Sequence, residues 1–361
     1  MKWRGSAVTR AFGNIALLVV SVTVGLAALE FSSRALMPLR PTATSVSVSG
    51  EPVEIYADQF RFVPNLRFYQ VSNEFRSTVT ISPQGHRIPV VQGNPDVVFV
   101  GDSFTFGYGL SDEDTFPLIY CRRANLSCAN LGRPGTGTVL QLQILEHFLK
   151  TEGWRPKQVL LFPMVMSNGL VSGNDLFDNL GEHSRTASDP RAVRQTSESW
   201  DAADTGRSLL SKLNLVRLVY FHAAPFFRSF FTPEPEQSAY KRALDVMAEQ
   251  LRRLDSLSRE YGFEYAIFVL HPIQDVLRGT AAATYDTIRR LAVTDRMVPT
   301  AQAFESNPRA FYFAYDGHLN PRGSLGIADL LTSYTQENGF FQIHPATSQR
   351  LQSQPKDRDI R

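Results

Sequence analysis

The stretch VVFVGDSFTFGYG occupies residues 97–109. Four strand-forming apolar residues run without polar alternation straight into Gly101-Asp102-Ser103. A continuous apolar run of this length is the pattern of a strand covered on both faces, as in a parallel sheet wrapped by helices. The carboxyl end of such a strand is where open α/β sheets expose their working residues. Two readings of Ser103 follow: a nucleophile, or a cap for the turn that Gly107 and Gly109 continue.

Outward from this stretch the pattern repeats. DVVFV (96–100), LSCANL (126–131), QVLLFPMV (158–165) and FEYAIFVLHP (263–272) read as strands. FPLIYCRRA, TVLQLQILEHFLK, the amphipathic YKRALDVMAEQLRRLDSLSREYG, ATYDTIRRLAV and PRGSLGIADLLTSY read as helices, with apolar residues three and four apart. Alternation of this kind implies a parallel sheet between helical layers. Residues 176–235 break the regularity with a long polar stretch and the aromatic LVRLVYFHAAPFFRSFF, and read as a lid-like insertion at the carboxyl edge of the sheet. A loop followed by an ordinary packed helix is the alternative. Residues 56–95 hold short alternating runs such as STVTI and RIPVV, expected to form a small cover.

The amino terminus carries a different signal. Residues 11–29, AFGNIALLVVSVTVGLAAL, contain no charge, and a helix of that length spans about 28 Å, close to a hydrocarbon core of about 30 Å. Lys2, Arg4 and Arg10 precede it, which predicts a cytoplasmic segment 1–10 and export of everything after residue 30. A cleaved signal peptide and a buried helix are the competing readings, although no clean small-x-small site follows before Glu30. Residues 30–95 are then a Pro/Ser/Thr-rich spacer with a small extension, residues 96–335 the main domain and residues 336–361 a polar tail.

With 361 residues, 43% of them apolar, the chain can bury a large core, and a formal charge of +2 without an aromatic-interleaved basic patch argues against a nucleic-acid partner. Its only cysteines are Cys121 and Cys128. In an exported protein they form a candidate disulfide, with two buried thiols as the alternative. Their spacing, with no adjacent His, makes a poor metal site, and no metal or other cofactor is expected.

Serine chemistry needs a base, a group that orients the base, and donors for the oxyanion. Of seven histidines, His318 lies in a short polar turn before the last helix with Asp316 two residues earlier, so one turn can supply both base and acid. His271 follows a strand and also reaches the working edge; His147 and His344 sit in an amphipathic helix and in the tail. NLGRPGTGT (130–138) is a glycine turn whose backbone N–H groups can approach a charged centre, and it matches neither dinucleotide nor P-loop spacing. After the third strand, Asn168 and Asn174 both qualify by position as side-chain donors.

In this order, GDSF, NLGRPGTGT, GND and DGHLNPRG resemble the motifs of the GDSL or SGNH hydrolase superfamily, particularly its membrane-anchored bacterial members. The resemblance covers residues 96–335, with weaker likeness at SPQGHR (82–87) in the extension. It implies a three-layer α/β/α, flavodoxin-like fold with esterase, lipase or carbohydrate deacetylase activity. The family's nucleophile falls on Ser103, its histidine on His318 and its oxyanion glycine on Gly135, with the backbone N–H of Ser103 a further donor. Asp316 matches the acid, but many members place it three residues before the histidine, where this chain has Tyr315. Asn174 matches the family's asparagine by its GND context, and Asn168 matches better by distance from the strand. The expected function is removal of short acyl groups, such as acetyl, from a carbohydrate or cell-envelope glycan, in a single-pass bacterial inner-membrane protein with its catalytic domain on the periplasmic or extracellular side. Transfer of the acyl group to an extracellular polysaccharide, with polysaccharide-biosynthesis partners, is a second reading. A non-catalytic glycan-binding or assembly protein is a third.

Overall fold

A computed structural model describes residues 4–36, 43–88, 93–167, 174–188, 215 and 237–338. Contacts divide the chain into two compact units, Met1–Thr42 with Trp200–Thr232 and Ala43–Ser199 with Pro233–Arg361. In the first, helix α1 runs over Arg4–Leu36. Its Gly13–Ala35 segment is long and apolar enough to cross a membrane, and none of it is buried. All the strands and the remaining helices given below belong to the second unit.

The second unit is built on a five-stranded, wholly parallel sheet. Its strands are β4 (Val97–Gly101), β5 (Cys128–Asn130), β6 (Gln158–Phe162), β7 (Glu264–Val269) and β8 (Met297–Pro299), in the spatial order β5-β4-β6-β7-β8. Strands β4 and β6 are buried along their whole length, which is why both are mostly apolar, Val97–Val100 in one and Val159–Phe162 after buried Gln158 in the other. Alternate side chains serve two cores. Val98 and Val100 face one with Leu142, Leu145 and Met247, whereas Val97 and Phe99 face the other with Phe116, Tyr120, Ile327 and Leu331. Helices α4 (Thr138–Thr151) and α6 (Gln237–Tyr261) therefore cover one face, and α3 (Phe116–Ala124) and α9 (Pro321–Glu337) the other, giving a three-layer α/β/α domain, with the short α7 (Ile273–Arg278) and α8 (Ala281–Arg289) between β7 and β8.

The chain leaves β4, forms β5 on one side, then returns to build β6 on the other. This reversal puts a topological switch point between the carboxyl ends of β4 and β6, where doubly wound sheets open a crevice. Ser103 begins the short helix α2 (Ser103–Phe106) directly after β4. Strand β8 escapes the periodicity reading because it is three residues long. It is recruited by pairing with β7 rather than by its own pattern.

A second, antiparallel sheet comes from the extension: β1 (Thr44–Val46), β2 (Arg67–Val71) and β3 (Arg76–Thr80) in that order. Phe62, Phe68, Val79 and Ile81 pack with Phe106 of α2, so this sheet shares a core with the turn that carries Ser103. The expected insertion opens in helix α5 (Asp175–Ser188), whose Asn179 and Glu182 accept backbone N–H groups at the start of α4. Residues 189–214 and 216–235 of that insertion, and 339–361 of the tail with His344, lie outside the described residues. The sulfurs of Cys121 at the end of α3 and Cys128 at the start of β5 are bonded, with Cα atoms 6.2 Å apart.

Candidate active site

Gly101 ends β4 because it has no room for more: a Cβ there would lie 2.1 Å from Thr105 Oγ1. Asp102 then caps α2, its Oδ1 accepting the Phe104 N–H at 2.9 Å. The carboxylate of Asp102 is thus engaged with backbone, while Ser103 presents its hydroxyl to His318. At Gly132 in the glycine turn, an added Cβ would meet the Phe106 backbone nitrogen at 2.1 Å, so this turn closes against α2 only without a side chain.

On the far side of the crevice, Asn320 caps α9 by accepting the N–H groups of Arg322 and Gly323, with Pro321 at the first helical position. The turn before it closes through Phe313 N–H to the His318 carbonyl at 2.8 Å. Gly317 sits in this turn at φ +85°, in the left-handed region that glycine tolerates. Asp316 and His318 therefore meet with one residue between them. Asp316 Oδ1 lies 2.5 Å from His318 Nδ1, and His318 Nε2 lies 2.7 Å from Ser103 Oγ. With Nδ1–H donating to the carboxylate, Nε2 accepts the Ser103 hydroxyl. The spacing of two is compatible with a direct acid–imidazole contact because the glycine bends the chain.

The imidazole is flanked by Phe104 and Tyr108, each with its ring centroid 4.8 Å away, yet keeps an opening to solvent, with 21% of its side chain exposed. Burial pulls the His318 pKa down, but the charge and hydrogen bond of Asp316, and then the charge of Asp102, outweigh it and hold the imidazole above its ordinary value. For Asp316 burial pushes up, and the His318 charge and hydrogen bonds outweigh that and hold the carboxyl below its ordinary range. Burial pushes Asp102 up to about 6 despite the Phe104 N–H and the His318 charge. A hydroxyl bonded to an imidazole, whose other nitrogen meets a carboxylate, can lose its proton as it attacks an electrophilic carbon.

Gly135 lies exposed in the glycine turn at φ +72°. Asn174 is buried just before α5, where its Oδ1 accepts the Leu176 N–H at 3.1 Å. Gln141 links these two segments, donating to the Thr136 carbonyl at 2.9 Å and to Asp175 at 3.2 Å. Asn168 lies outside the described residues. His271 is buried, with Nδ1 3.2 Å from the Val165 carbonyl, and burial lowers its pKa against the charge of Asp275. His147 stacks on Phe60. Among the described residues, no group of three or more His, Cys, Asp or Glu side chains could hold a metal ion.

Periodicity could not reveal Arg87. Its guanidinium is fully buried and donates to the carbonyls of Phe106, Gly107 and Leu110 at 2.6–2.7 Å and to Asp112 at 3.1 Å, holding the loop that follows Ser103. The SPQGHR segment is where the sequence hints at it, since an Arg beside buried His86 in an irregular stretch has no helix or strand face to explain it.

No protein-family profile and no curated protein matches the chain. Similar solved structures include an α/β hydrolase from the metagenome of Lake Arreo, Spain (13% identity, 68% of this chain and 96% of that one, TM-score 0.37). An acetylxylan esterase from Geobacillus stearothermophilus, solved as a catalytic mutant, aligns at 13% identity over 68% of this chain and 95% of its own, with a TM-score of 0.35. A carbohydrate esterase family 2 enzyme with a carbohydrate-binding domain, from Myceliophthora fergusii, aligns at 12% identity over 82% and 87%, with a TM-score of 0.36. At these scores no residue role passes from them to this chain.

Proposed function

We propose that the protein is a serine ester hydrolase that removes short acyl groups, acetyl foremost, from a carbohydrate or cell-envelope glycan. The observation that carries this reading is the continuous path from Asp316 Oδ1 through the imidazole of His318 to Ser103 Oγ at the switch point of the sheet. Ser103 Oγ attacks the acyl carbon while His318 Nε2 takes its proton, and Asp316 holds the tautomer and balances the imidazolium. The protonated Nε2 then gives its proton to the departing sugar oxygen. Water, deprotonated by the same nitrogen, cleaves the acyl-serine. The oxyanion meets the backbone N–H groups of Ser103 and Gly135 and the amide of Asn174. Asn174 Nδ2–H is the donor in this reading, while its Oδ1 accepts the Leu176 N–H at the α5 terminus.

A small acyl group suits a site whose imidazole is walled by Phe104 and Tyr108. Helix α1 is read as an uncleaved single-pass anchor in a bacterial inner membrane, with Lys2, Arg4 and Arg10 on the cytoplasmic side and the catalytic unit outside. The full-length protein in detergent should release acetate from acetylated glycans and cleave small chromogenic esters. It should also be labelled once by a fluorophosphonate, and Ser103→Ala should do none of these. Equal labelling of wild type and variant would remove Ser103 from the mechanism. In membrane fractions the full-length mass should persist and external protease should release the catalytic unit, whereas a mature chain starting near residue 30 would make α1 a cleaved signal.

A further inference from the structure

The extension's antiparallel sheet reaches the catalytic turn through one carboxylate. Strands β2 and β3 are joined by a tight turn in which Ser72 N–H donates to the Phe75 carbonyl at 2.9 Å. In the same turn Ser72 Oγ accepts the N–H groups of Glu74 and Phe75 at 3.1 and 3.2 Å. This fixes Glu74 at the tip. Its Oε2 accepts two successive backbone N–H groups of the opposite loop, Tyr315 at 3.0 Å and Asp316 at 2.6 Å. Consecutive amides converging on one anion form a concave anion site, and charge-assisted bonds of this kind are stronger than neutral ones. Here the anion belongs to the chain itself, 242 residues away in sequence from Asp316.

The next residue in the hairpin completes the contact. Phe75 packs on Phe313 with ring centroids 4.9 Å apart and meets Tyr108 edge-on at 6.0 Å, and Tyr108 in turn flanks His318. Gln70 of β2 accepts the Gly109 N–H at 3.1 Å. The hairpin thus touches both loops that bring Ser103 and His318 together, and Glu74 bonds the backbone of the residue that orients the imidazole.

We propose that Glu74 is a positioning residue: its carboxylate clamps the Tyr315–Asp316 backbone so that Asp316 Oδ1 meets His318 Nδ1. Within the turn, Gly317 N–H donates to the Phe313 carbonyl at 3.2 Å and Asp316 Oδ1 also accepts the His318 N–H at 3.3 Å; Glu74 adds a hold on the Tyr315–Asp316 backbone from outside it. Glu74 touches neither the imidazole nor the serine; it acts through Asp316. This inference rests on the proposed serine mechanism, and its test separates the two.

The test is the second-order rate of fluorophosphonate labelling at Ser103 in the full-length protein, normalised to folded fraction. It is combined with kcat and KM on a small chromogenic ester and the low-field proton resonance of the His318 Nδ1–H. Misplacing a catalytic group slows its step steeply, so Glu74→Ala should lower the labelling rate and kcat by about 10-fold or more with KM little changed, and should broaden or remove the Nδ1 resonance. Glu74→Gln keeps an amide oxygen for the two N–H groups and should stay within about 3-fold of wild type, with the resonance retained. Wild-type labelling by Glu74→Ala, or a loss in Glu74→Gln as deep as that in Glu74→Ala, overturns the clamp while leaving the serine mechanism in place. A wild-type protein that does not label overturns both.

Discussion

His318 Nε2 and Ser103 Oγ stand 2.7 Å apart although 215 residues separate them in the chain. The contact exists because the β4 terminus and the turn before α9 meet at the switch point of the sheet.

The protonation of His318 sets the acid limb of the rate. Because Asp316 and then Asp102 outweigh burial and hold its pKa above the ordinary value of about 6.5, kcat/KM on a small ester should rise with pH through a midpoint above that value. Asp316→Asn removes the main opposing charge, so the midpoint should move down as burial takes over, and kcat should fall by about 10²-fold or more. The stability linkage has the opposite sense at the two partners. The raised His318 contributes fully below about pH 6.5 and loses its contribution as pH rises through its folded value, whereas the depressed Asp316 contributes above about pH 3.9 and loses it as pH falls through its folded value. An unmoved acid limb in the Asn variant would show that another group titrates.

Asn174 has two jobs in the proposed mechanism, capping α5 and donating to the oxyanion, and Asn174→Ser separates them. Serine keeps a capping oxygen but withdraws the amide, so stability should change by less than about 1 kcal/mol while kcat falls by about 10²-fold with KM little altered. Asn168→Ala should leave turnover per folded molecule intact. The reverse pattern would move the donor to Asn168.

Asp175 should make the fold less stable as pH rises. Burial, and then the charge of Asp102, push its carboxyl well above the ordinary range. The native protein keeps a proton that the unfolded chain sheds near about pH 4, so stability falls from there toward the folded value. Asp175→Asn abolishes that slope. Urea unfolding at about pH 5 and about pH 7.5 should show the variant gaining on wild type at the higher pH, and a pH-independent difference would mean that the buried carboxyl is ionised.

The Cys121–Cys128 bond closes a short loop between α3 and β5. Loop-closure entropy for that length gives about 2–3 kcal/mol, so the double Ser variant should unfold at correspondingly lower urea, and thiol titration of unfolded, unreduced protein should find no free thiol. Two free thiols with unchanged stability would return the pair to ordinary buried cysteines.

Much of the parallel domain was legible along the chain, because burial on both faces forces continuous apolar strands such as Val97–Val100 and helical covers force spacings of three and four, as in Thr138–Lys150. The same regularity put Ser103 after a buried strand and Asp316 with His318 ahead of a capped helix. Local sequence could not say that these groups meet, nor that Gly317 makes a spacing of two workable, since both depend on how distant strand ends are brought to one crevice. It did not assign the roles of Arg87 and Glu74 for a related reason. Each is a single charged side chain in a short irregular segment, and what it does is set by backbone groups 19 to 242 residues away. Periodicity reports which face of an element is buried, and so the sequence determined the layers; hydrogen bonds between turns carry no periodicity, and only the tertiary structure decided which turns face one another across the crevice.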